Sequence, residues 1–288
     1  MVVNRAAGRA HVAGRIAARL ASDRPGLDCA ETRCPGDAER IAREGRGYDG
    51  LMVVGGDGTI SECLTGMDLP RQKLAILPAG HGMCLARDLG LHRPDAAFAA
   101  LRASRWRELD VMDVDVERGD LGTLRRRCGS TLAVGYVTDV VAAGRRRFPG
   151  FGHAAYALAS FVTRPRRFAA RTDPGDGAPG DRREWTGIVV NNTAHLANFR
   201  AFASARVDDG LLDVMWQDCG WMRQQAHNLA VLAGSTTWGP YAMQQSAALE
   251  LRLAAPRTLM ADGELLSGVH ALRVTCRRAA VSCLVGAP

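Results

Sequence analysis

Lysine and aromatic residues are scarce in this 288-residue chain, and several familiar patterns are missing altogether. Of the 37 basic residues only Lys73 is a lysine, and no glycine precedes it, so a phosphate-binding P-loop is excluded. The eight cysteines form no Cys-x-x-Cys pair, which excludes the usual zinc-site spacing and fits a reducing cytoplasm. No signal-like segment opens the chain, and no apolar stretch approaches the roughly 18 residues that span a bilayer, so any membrane contact is expected to be peripheral.

The composition that remains is that of an ordinary globular protein, with 47% hydrophobic and 23% charged residues. It excludes intrinsic disorder, collagen and coiled coil. The formal net charge of +7 comes from arginine and would attract phosphate, anionic lipid or nucleic acid, although genome composition explains it equally well. A nucleic-acid partner is set aside, because no recognised motif is present and only 6% of the residues are aromatic.

Hydrophobic periodicity divides the chain in two. Up to about Asp110, short apolar runs alternate with helical patterns, which is typical of a parallel α/β unit. Beyond it, period-two strands and turns dominate. We therefore predict an α/β domain over residues 1–110 and a β-sandwich-rich domain over residues 111–288, with a return of the last segment to the first domain left open.

Individual elements follow from the same periodicity. The predicted strands are 1–3, 27–32, 51–54, 74–77, 111–116, 131–137, 188–191, 248–253, 258–260 and 271–275. The predicted helices are 9–21, 36–44, 83–89, 152–162 and 222–233, with a further helix after residue 59, and residues 95–103 close the first part of the chain. Residues 173–180 are predicted to form a polar surface loop.

A glycine turn directly follows one buried strand, as Gly55-Gly56-Asp57-Gly58-Thr59. Open α/β sheets bind ligands at the carboxyl ends of their strands, and glycine-turn amides at a helix N-terminus can surround a phosphate. A carboxylate facing phosphates is repelled unless Mg²⁺ stands between them, so Asp57 favours a metal-nucleotide complex. The alternatives are a plain tight turn and a capping box formed by Thr59 and Glu62.

Three further segments carry candidate chemistry. A second turn, Ala79-Gly80-His81-Gly82, follows the next strand, so two anion-binding turns could border one crevice. Asp208-Asp209-Gly210 precedes a strand and is either a stabilised turn or part of a hard-cation site. Asp262-Gly263-Glu264 supplies either a general base with an acidic helper or a solvated turn.

Together these motifs resemble the catalytic domain of the diacylglycerol kinase family, which includes sphingosine and ceramide kinases and is related in fold to NAD kinase and phosphofructokinase. The resemblance covers nearly the whole chain and rests on motifs in family order. They are residues 3–8, 55–59 with Glu62 and Gly66, 77–82 with 85–87, 152–156, 205–214 and 261–264. It implies an α/β nucleotide domain, a β-sandwich domain, ATP and Mg²⁺ in the cleft, and a lipid hydroxyl as phosphate acceptor.

Roles are implied by position in the family's motifs. Asp262 matches the base, with Glu264 and Asp57 as its acidic partners. The nucleotide-binding positions are Asn4, Thr32, Gly55, Gly56, Asp57, Gly58, Thr59, Glu62, Gly80 and His81. Asp209 and the carbonyls of Arg206 and Leu211 match a magnesium site that is structural rather than catalytic. The resemblance also implies a cytoplasmic protein held peripherally on an anionic membrane, and a homodimer is left open.

The sequence departs from the family at one important place. The usual Gly-Thr/Ser-Gly-Asn-Asp is here Gly80-His81-Gly82-Met83-Cys84, so two polar side chains are replaced by Met83 and Cys84. An ATP-dependent lipid kinase is the leading hypothesis. The second is a catalytically silent lipid or nucleotide binder, and the third an NAD kinase, which would not explain the acidic turns at Asp209 and Asp262.

Overall fold

The short apolar runs of the first third form parallel strands, and the segments between them form helices. The computed structural model describes residues 1–5, 10–80, 82–152, 154–173, 182–196, 199–233 and 241–287. The amino-terminal elements are β1 (Val2–Val3), α1 (Ala10–Asp23), β2 (Ala30–Glu31), α2 (Asp37–Glu44), β3 (Gly50–Gly55), α3 (Asp57–Gly66), β4 (Lys73–Pro78), α4 (Cys84–Asp88) and α5 (Pro94–Ala103). Strands β1 to β4 pair in parallel in the order β4-β3-β1-β2, which puts their carboxyl ends at one edge.

The rest of the chain is rich in antiparallel strands. Its elements are β5 (Trp106–Glu117), β6 (Thr123–Cys128), β7 (Thr131–Gly135), α6 (Tyr136–Arg147), α7 (Ala154–Val162), β8 (Phe168–Asp173), β9 (Arg182–Trp185), β10 (Gly187–Asn191), β11 (His195–Leu196), β12 (Phe199–Arg200), β13 (Leu212–Gln217), α8 (Trp221–Leu232), β14 (Ala242–Ser246), β15 (Ala248–Ala261) and β16 (Glu264–Leu284). Strands β7, β10 and β13 lie side by side in register, with Gly135 opposite Gly187 and Gly187 opposite Gln217.

The last strand connects the two parts of the molecule. Strand β16 pairs with β15 and β5 along most of its length and then, through Cys283, runs parallel to Leu74 of β4. Val281 and Leu284 are buried in the core of the amino-terminal part. A single sheet therefore continues from β14 to β2, and the boundary at residue 110 stays a prediction.

Several predicted elements differ from the structure. The strand predicted over residues 131–137 ends at Gly135, whose φ of 86° turns the chain into helix α6, which was not predicted. The strands predicted over 248–253 and 258–260 are one strand, β15, with irregular pairing near Arg252 and Arg257. All but the first residue of the loop predicted over 173–180 lies outside the described residues.

The predicted fold class is confirmed, since a mixed α/β part is followed by a strand-rich part. In the described part of the chain, no helix combines the length and the apolar composition that crossing a membrane requires.

Candidate functional site

One cavity of about 570 Å³ touches both parts of the molecule. Its first end is polar and is lined by the glycine turns that follow β3 and β4 and by the loop between β2 and α2. Its other end is mainly apolar and lies under α6, α7 and α8. The turn between β15 and β16, which carries Asp262, lines the cavity as well. The arrangement can hold two different ligands, with a carboxylate available at the cavity wall.

The two glycine turns lie against each other, backbone to backbone. A Cβ atom added at Gly80 would stand 2.5 Å from the Cα atom of Gly56, so neither turn tolerates a side chain there. Gly56 precedes helix α3, and its neighbours Gly58 and Thr59 line the same cavity. The structure thus brings the candidate residues 55–59 and Gly80 to one crevice, whereas His81 lies outside the described residues.

Asn4 and Thr32 border this crevice from the neighbouring strands. The Asn4 side-chain amide donates to the Thr59 hydroxyl at 2.9 Å, which holds the end of β1 against the start of α3. The Thr32 amide donates to the Val3 carbonyl at 3.0 Å, which places its side chain at the cavity wall. Both residues lie where the sequence placed them, at the carboxyl ends of parallel strands.

Glu62 has a structural task that the sequence did not show. Its two carboxylate oxygens accept the amides of Gly36 and Ala38, each at 3.0 Å, so it holds the first turn of α2 from the neighbouring helix α3. The capping box considered for Thr59 and Glu62 is wrong. Helix α3 begins at Asp57 with Gly56 as N-cap, and no side chain caps it.

Asp57 is the first residue of α3, and its side chain reaches the N-terminus of α4. The Cys84 amide donates to its Oδ2 atom at 3.2 Å, and the amides of Met83 and Leu85 also lower its pKa. Burial and the nearby charge of Asp262 outweigh these amides and raise the pKa of Asp57 to about 7. Its Oδ1 atom is buried and has no hydrogen-bond partner among the described residues. This unpaired oxygen close to a second carboxylate fits a hard cation.

Met83 and Cys84, the residues that depart from the family, act here through their backbone. Met83 adopts φ 50°, a left-handed conformation that asparagine reaches more easily than methionine. Its side chain is buried, and its sulfur would lie 3.0 Å from a Cβ atom at Gly80. The contact with Asp57 is therefore made by main-chain amides in this chain, and the two side chains add packing rather than polar groups.

Asp262 occupies a tight turn with Gly263, at φ 44° and 88°, which matches the two-residue Asp-Gly hairpin turn. The carboxylate is only 4% exposed, so the solvated turn considered above is wrong. It accepts the amides of Gly129, Ser130 and Thr131 at 2.7, 3.0 and 2.8 Å, and the Ser130 hydroxyl at 2.5 Å. Burial still raises its pKa above the usual range, which increases its capacity to accept a proton.

Glu264 faces the same cavity and forms a short ion pair with Arg126 of β6. Burial raises the pKa of the Glu62 carboxyl, and the neighbouring Glu264 raises it further. Arg145, at the end of α6, donates to the Gly263 carbonyl beside Asp262. Four carboxyl groups and one cavity-lining arginine thus surround the junction of the polar and apolar ends.

The acidic turn before β13 forms hydrogen bonds of its own. Asp209 Oδ1 accepts the Leu211 amide at 3.0 Å, and Asp110 accepts the amides of Gly210 and Ala279 at 2.6 and 2.7 Å. Within the described ranges, no group of three or more His, Cys, Asp and Glu side chains could hold a metal ion. The magnesium site at Arg206, Asp209 and Leu211 remains a prediction, and one oxygen of its carboxylate is already in use.

Sequence reasoning missed the residues that prepare Asp262 and those that line the apolar end. Ser130 and Thr131 begin strand β7, far along the chain from Asp262, and their only sequence signal is a polar pair ahead of an apolar strand. Tyr136, Gln217 and Asn228 line the cavity from α6, β13 and α8. Nothing in their local pattern distinguishes them from ordinary surface residues.

Comparisons with known proteins agree with this geometry. The sequence model of the diacylglycerol kinase catalytic domain matches residues 1–114. A probable lipid kinase YegS-like protein of Pseudomonas aeruginosa is 30% identical over 221 residues, which cover 72% of this chain and 68% of that protein. The diacylglycerol kinase of Bacillus subtilis is 40% identical over 74 residues, which cover 24% of this chain and 24% of that protein.

Two solved structures share the fold. A putative diacylglycerol kinase from Bacillus anthracis aligns over 99% of this chain and 96% of its own, with a TM-score of 0.76 and 21% identity. An NAD kinase from Archaeoglobus fulgidus in complex with ATP aligns over 99% and 92%, with a TM-score of 0.51 and 12% identity. With the sequence matches to lipid kinases, the conclusion is that this chain belongs to the diacylglycerol kinase catalytic-domain family.

Proposed function

We propose that this protein is an ATP-dependent lipid kinase that phosphorylates the hydroxyl group of a diacylglycerol-like or sphingoid lipid. The observation that carries the proposal is the single cavity in which a polar glycine-turn crevice meets an apolar compartment at Asp262. Family membership supports kinase chemistry, and the ATP-bound NAD kinase of the same fold supports the nucleotide.

The nucleotide belongs at the polar end. The amides of the turns at Gly56 and Gly80 are free of side-chain obstruction and can approach phosphate oxygens closely. Asn4 and Thr32 border the same crevice and can bind the nucleotide there. Asp57, through its unpaired Oδ1, is the residue that would hold Mg²⁺. Bound there, Mg²⁺ would neutralise phosphate charge during the transfer.

The acceptor lipid belongs at the apolar end with its hydroxyl at Asp262. As the hydroxyl oxygen bonds to the γ-phosphorus, its proton passes to Asp262, and the bond between that phosphorus and the β–γ bridging oxygen breaks to release ADP. Ser130, Thr131 and Gly129 fix the orientation of the Asp262 carboxylate. Glu264 and Glu62 contribute indirectly. Glu264 forms an ion pair with Arg126, and Glu62 binds the first turn of α2.

An anionic membrane is the proposed surface on which the protein finds its lipid. Arg146, Arg147, Arg164 and Arg166 line a hollow of about 370 Å³ beside α7, and the carboxyl group of Asp139 lines the same hollow. Exposed apolar side chains stand on α7 and α8, among them Leu158, Val162 and Leu229. Four cations against one carboxyl group, beside apolar side chains, suit an interface of anionic headgroups and acyl chains.

The test is transfer of labelled γ-phosphate from ATP with Mg²⁺ to diacylglycerol, sphingosine and ceramide in mixed micelles. We expect the wild type to label one of these lipid classes. Asp262→Asn should phosphorylate that lipid about 10²- to 10⁴-fold more slowly while still binding ATP. Asp120→Asn, an exposed residue outside the cavity, is the matched control. Ser130→Ala, which removes one hydrogen bond to Asp262, should lose less.

The alternatives have distinct outcomes. Near-normal turnover of Asp262→Asn would refute its role as base. ATP binding without transfer to any lipid, in a wild-type protein that melts cooperatively, would indicate the silent binder and direct attention to Met83 and Cys84. Transfer to NAD instead of lipid would indicate the NAD kinase function.

A further inference from the structure

At the apolar end of the cavity, the side chain of Gln217 has no hydrogen-bond partner among the described residues. Gln217, the last residue of β13, is 2% exposed and lines the cavity. Its Oε1 atom is buried without a hydrogen-bond partner, and its side-chain amide forms no hydrogen bond with any residue in the described ranges. Burying an amide without a partner costs free energy, so a residue kept in this state calls for an explanation.

The backbone around Gln217 leaves room for this side chain. A Cβ atom at Gly187, its neighbour on β10, would lie 2.0 Å from Gln217 Oε1 and 3.4 Å from the Tyr136 amide nitrogen. The glutamine side chain therefore lies across Gly187, beside the first residue of α6. Any larger residue at position 187 would displace it.

Four polar side chains on and beside helices α6 and α8 bind one another. The Tyr136 hydroxyl donates to the Ser160 carbonyl at 2.8 Å, and Asn228 donates to the Tyr136 hydroxyl at 2.9 Å. Gln224 donates to Asn228 at 3.0 Å and accepts the Tyr241 hydroxyl at 3.0 Å. This network fixes the wall formed by α6, α7 and α8, and the Gln217 side chain takes no part in it.

The side chains around Gln217 are neutral at pH 7. Burial raises the pKa of Tyr136 to about 12 and also raises the pKa values of Cys219 and Tyr241. Burial lowers the pKa of His227, which keeps its imidazole uncharged. Among the described residues, the charged side chains that line the cavity are those of the polar end and the Asp262 turn, together with Arg145 of α6, which binds the Gly263 carbonyl; the others are Arg33, Asp57, Glu62, Asp262 and Glu264.

Strand register sets the separation between Gln217 and Asp262. The Thr131 amide binds Asp262, and four residues further along β7 lies Gly135, opposite Gly187 and then Gln217. Four residues of strand span about 13 Å. Alternate residues face one side of a sheet, so Thr131, Ala133 and Gly135 share the face that Gln217 occupies on β13. The two polar positions thus lie at opposite ends of one sheet face.

We infer that Gln217 is a subsite for an uncharged hydrogen-bonding group, a hydroxyl or a carbonyl, carried on the acceptor chain about 13 Å further along the strands and one strand across from the hydroxyl that is phosphorylated. The inference rests on the proposed function in that it treats this cavity as the acceptor site. It adds that the acceptor is polar at two separated positions, unlike a lipid whose chain is hydrocarbon throughout. A charged group at the second position is disfavoured, because no opposite charge compensates it there.

The test compares binding of 1,10-decanediol and 1-decanol, which differ only in the second hydroxyl, by calorimetry without ATP. We expect the wild type to bind the diol about 3- to 10-fold more tightly, the value of one additional neutral hydrogen bond. Gln217→Met, which keeps the length but removes the amide, should lose this preference. Gln244→Met, an exposed glutamine on β14, should keep it.

A melting curve distinguishes a binding role from a structural one. If Gln217 serves a ligand, Gln217→Met without ligand should raise the Tm by about 2 °C or more, because an unpartnered buried amide is removed. Equal wild-type affinity for the two alcohols, or an unchanged preference in Gln217→Met, would overturn the subsite. The wild-type comparison decides the matter even if the variant fails to fold.

Failure of this subsite and failure of the kinase proposal are separable. Binding is measured without ATP, so a diol preference without lipid phosphorylation would overturn the kinase function alone. Lipid phosphorylation without a diol preference would overturn the subsite alone.

Discussion

At the scale of single residues, the site is governed by two buried carboxyl groups that repel each other. Asp262 is held by four hydrogen bonds, whereas Asp57 is held by main-chain amides and has one oxygen without a partner among the described residues. The charge of Asp262 raises the pKa of Asp57, and burial raises it more. The unpartnered oxygen of Asp57 is therefore a position at which added positive charge would relieve this repulsion.

Asp57 should make stability depend on pH. With a pKa raised to about 7, the folded chain keeps a proton on Asp57 that the unfolded chain loses near its ordinary pKa of 3.8. This contribution to stability is complete below about pH 4 and is lost as the pH rises through about 7. Compared with Asp57→Asn, the wild type should lose up to roughly 4 kcal/mol across that interval, with no further change above it.

The measurement is urea unfolding of both proteins between pH 4 and pH 8 in EDTA. Asp23→Asn, an exposed residue at the end of α1, is the control and should give a difference that does not change with pH over that interval. A constant difference between wild type and Asp57→Asn would show that Asp57 is ionised in the folded chain throughout.

Sequence predicts the identity of these carboxyl groups but not their environment. The Asp-Gly pair between two apolar runs indicates a hairpin turn at Asp262, and the glycines around Asp57 indicate a turn after a strand. The donors to Asp262 come from Gly129, Ser130 and Thr131, and only pairing of β15 with β7 brings them together. Long-range register of this kind leaves no local pattern.

At the scale of elements, helices α2 and α3 border the glycine-turn crevice and pack against each other at a glycine. A Cβ atom at Gly66, the last residue of α3, would lie 2.2 Å from the Glu39 carbonyl and 2.8 Å from the Ala42 Cβ atom. The helices therefore pack at a separation that only glycine permits. Glu62 reinforces this contact by binding the first turn of α2.

Two glycine-to-alanine substitutions should have opposite effects. Gly66→Ala forces α2 and α3 apart and should lower the free energy of unfolding by about 1 to 3 kcal/mol. Gly14→Ala, within α1 and with nothing within 4 Å of its added Cβ, should raise it by about 0.5 to 1 kcal/mol. Denaturant titration of both variants beside the wild type measures the two effects, and a stabilised Gly66→Ala would contradict the packing described.

The errors of element prediction have a physical cause as well. Residues 131–137 are apolar at nearly every position, so their periodicity cannot separate a buried strand from the start of a buried helix. Gly135, at φ 86°, sets the boundary between β7 and α6, and a glycine in the sequence does not by itself predict a change from strand to helix. The long strands β15 and β16 were predicted only in part, because irregular pairing interrupts their alternation, near Arg252 and Arg257 in β15 and around Ala279, at φ 46°, in β16.

At the scale of the whole molecule, the net charge of +7 is not spread evenly. Arg146, Arg147, Arg164 and Arg166 surround one hollow, next to apolar side chains of α7 and α8 that are 41 to 79% exposed. Exposed Phe199 and Leu232 line the main cavity from the hairpin β11–β12 and from α8. A membrane at this face would deliver lipid directly to the cavity.

Membrane binding should depend on where the arginines lie rather than on total charge. The double substitution Arg146→Gln with Arg147→Gln removes two charges worth about 1 kcal/mol each and should weaken binding to phosphatidylglycerol-containing vesicles about 10- to 30-fold. Arg15→Gln with Arg102→Gln removes the same charge from α1 and α5 and should change binding little. Vesicle sedimentation measures both.

Equal losses in the two double variants would indicate a diffuse electrostatic attraction without a defined face. Binding that is unaffected by phosphatidylglycerol would remove the anionic membrane from the proposed partners. Salt should weaken the wild-type interaction, since exposed charges are screened over about 10 Å at 0.1 M ionic strength.

The path of strand β16 also has a consequence for synthesis. Leu74 of β4 finds its partner Cys283 close to the other end of the chain, and Val281 and Leu284 fill the core around it. During translation, the amino-terminal sheet thus leaves the ribosome with one edge open and part of its core unfilled. Its completion has to wait for the final strand, a non-local pairing that makes folding slow and exposes the nascent chain to association with its neighbours.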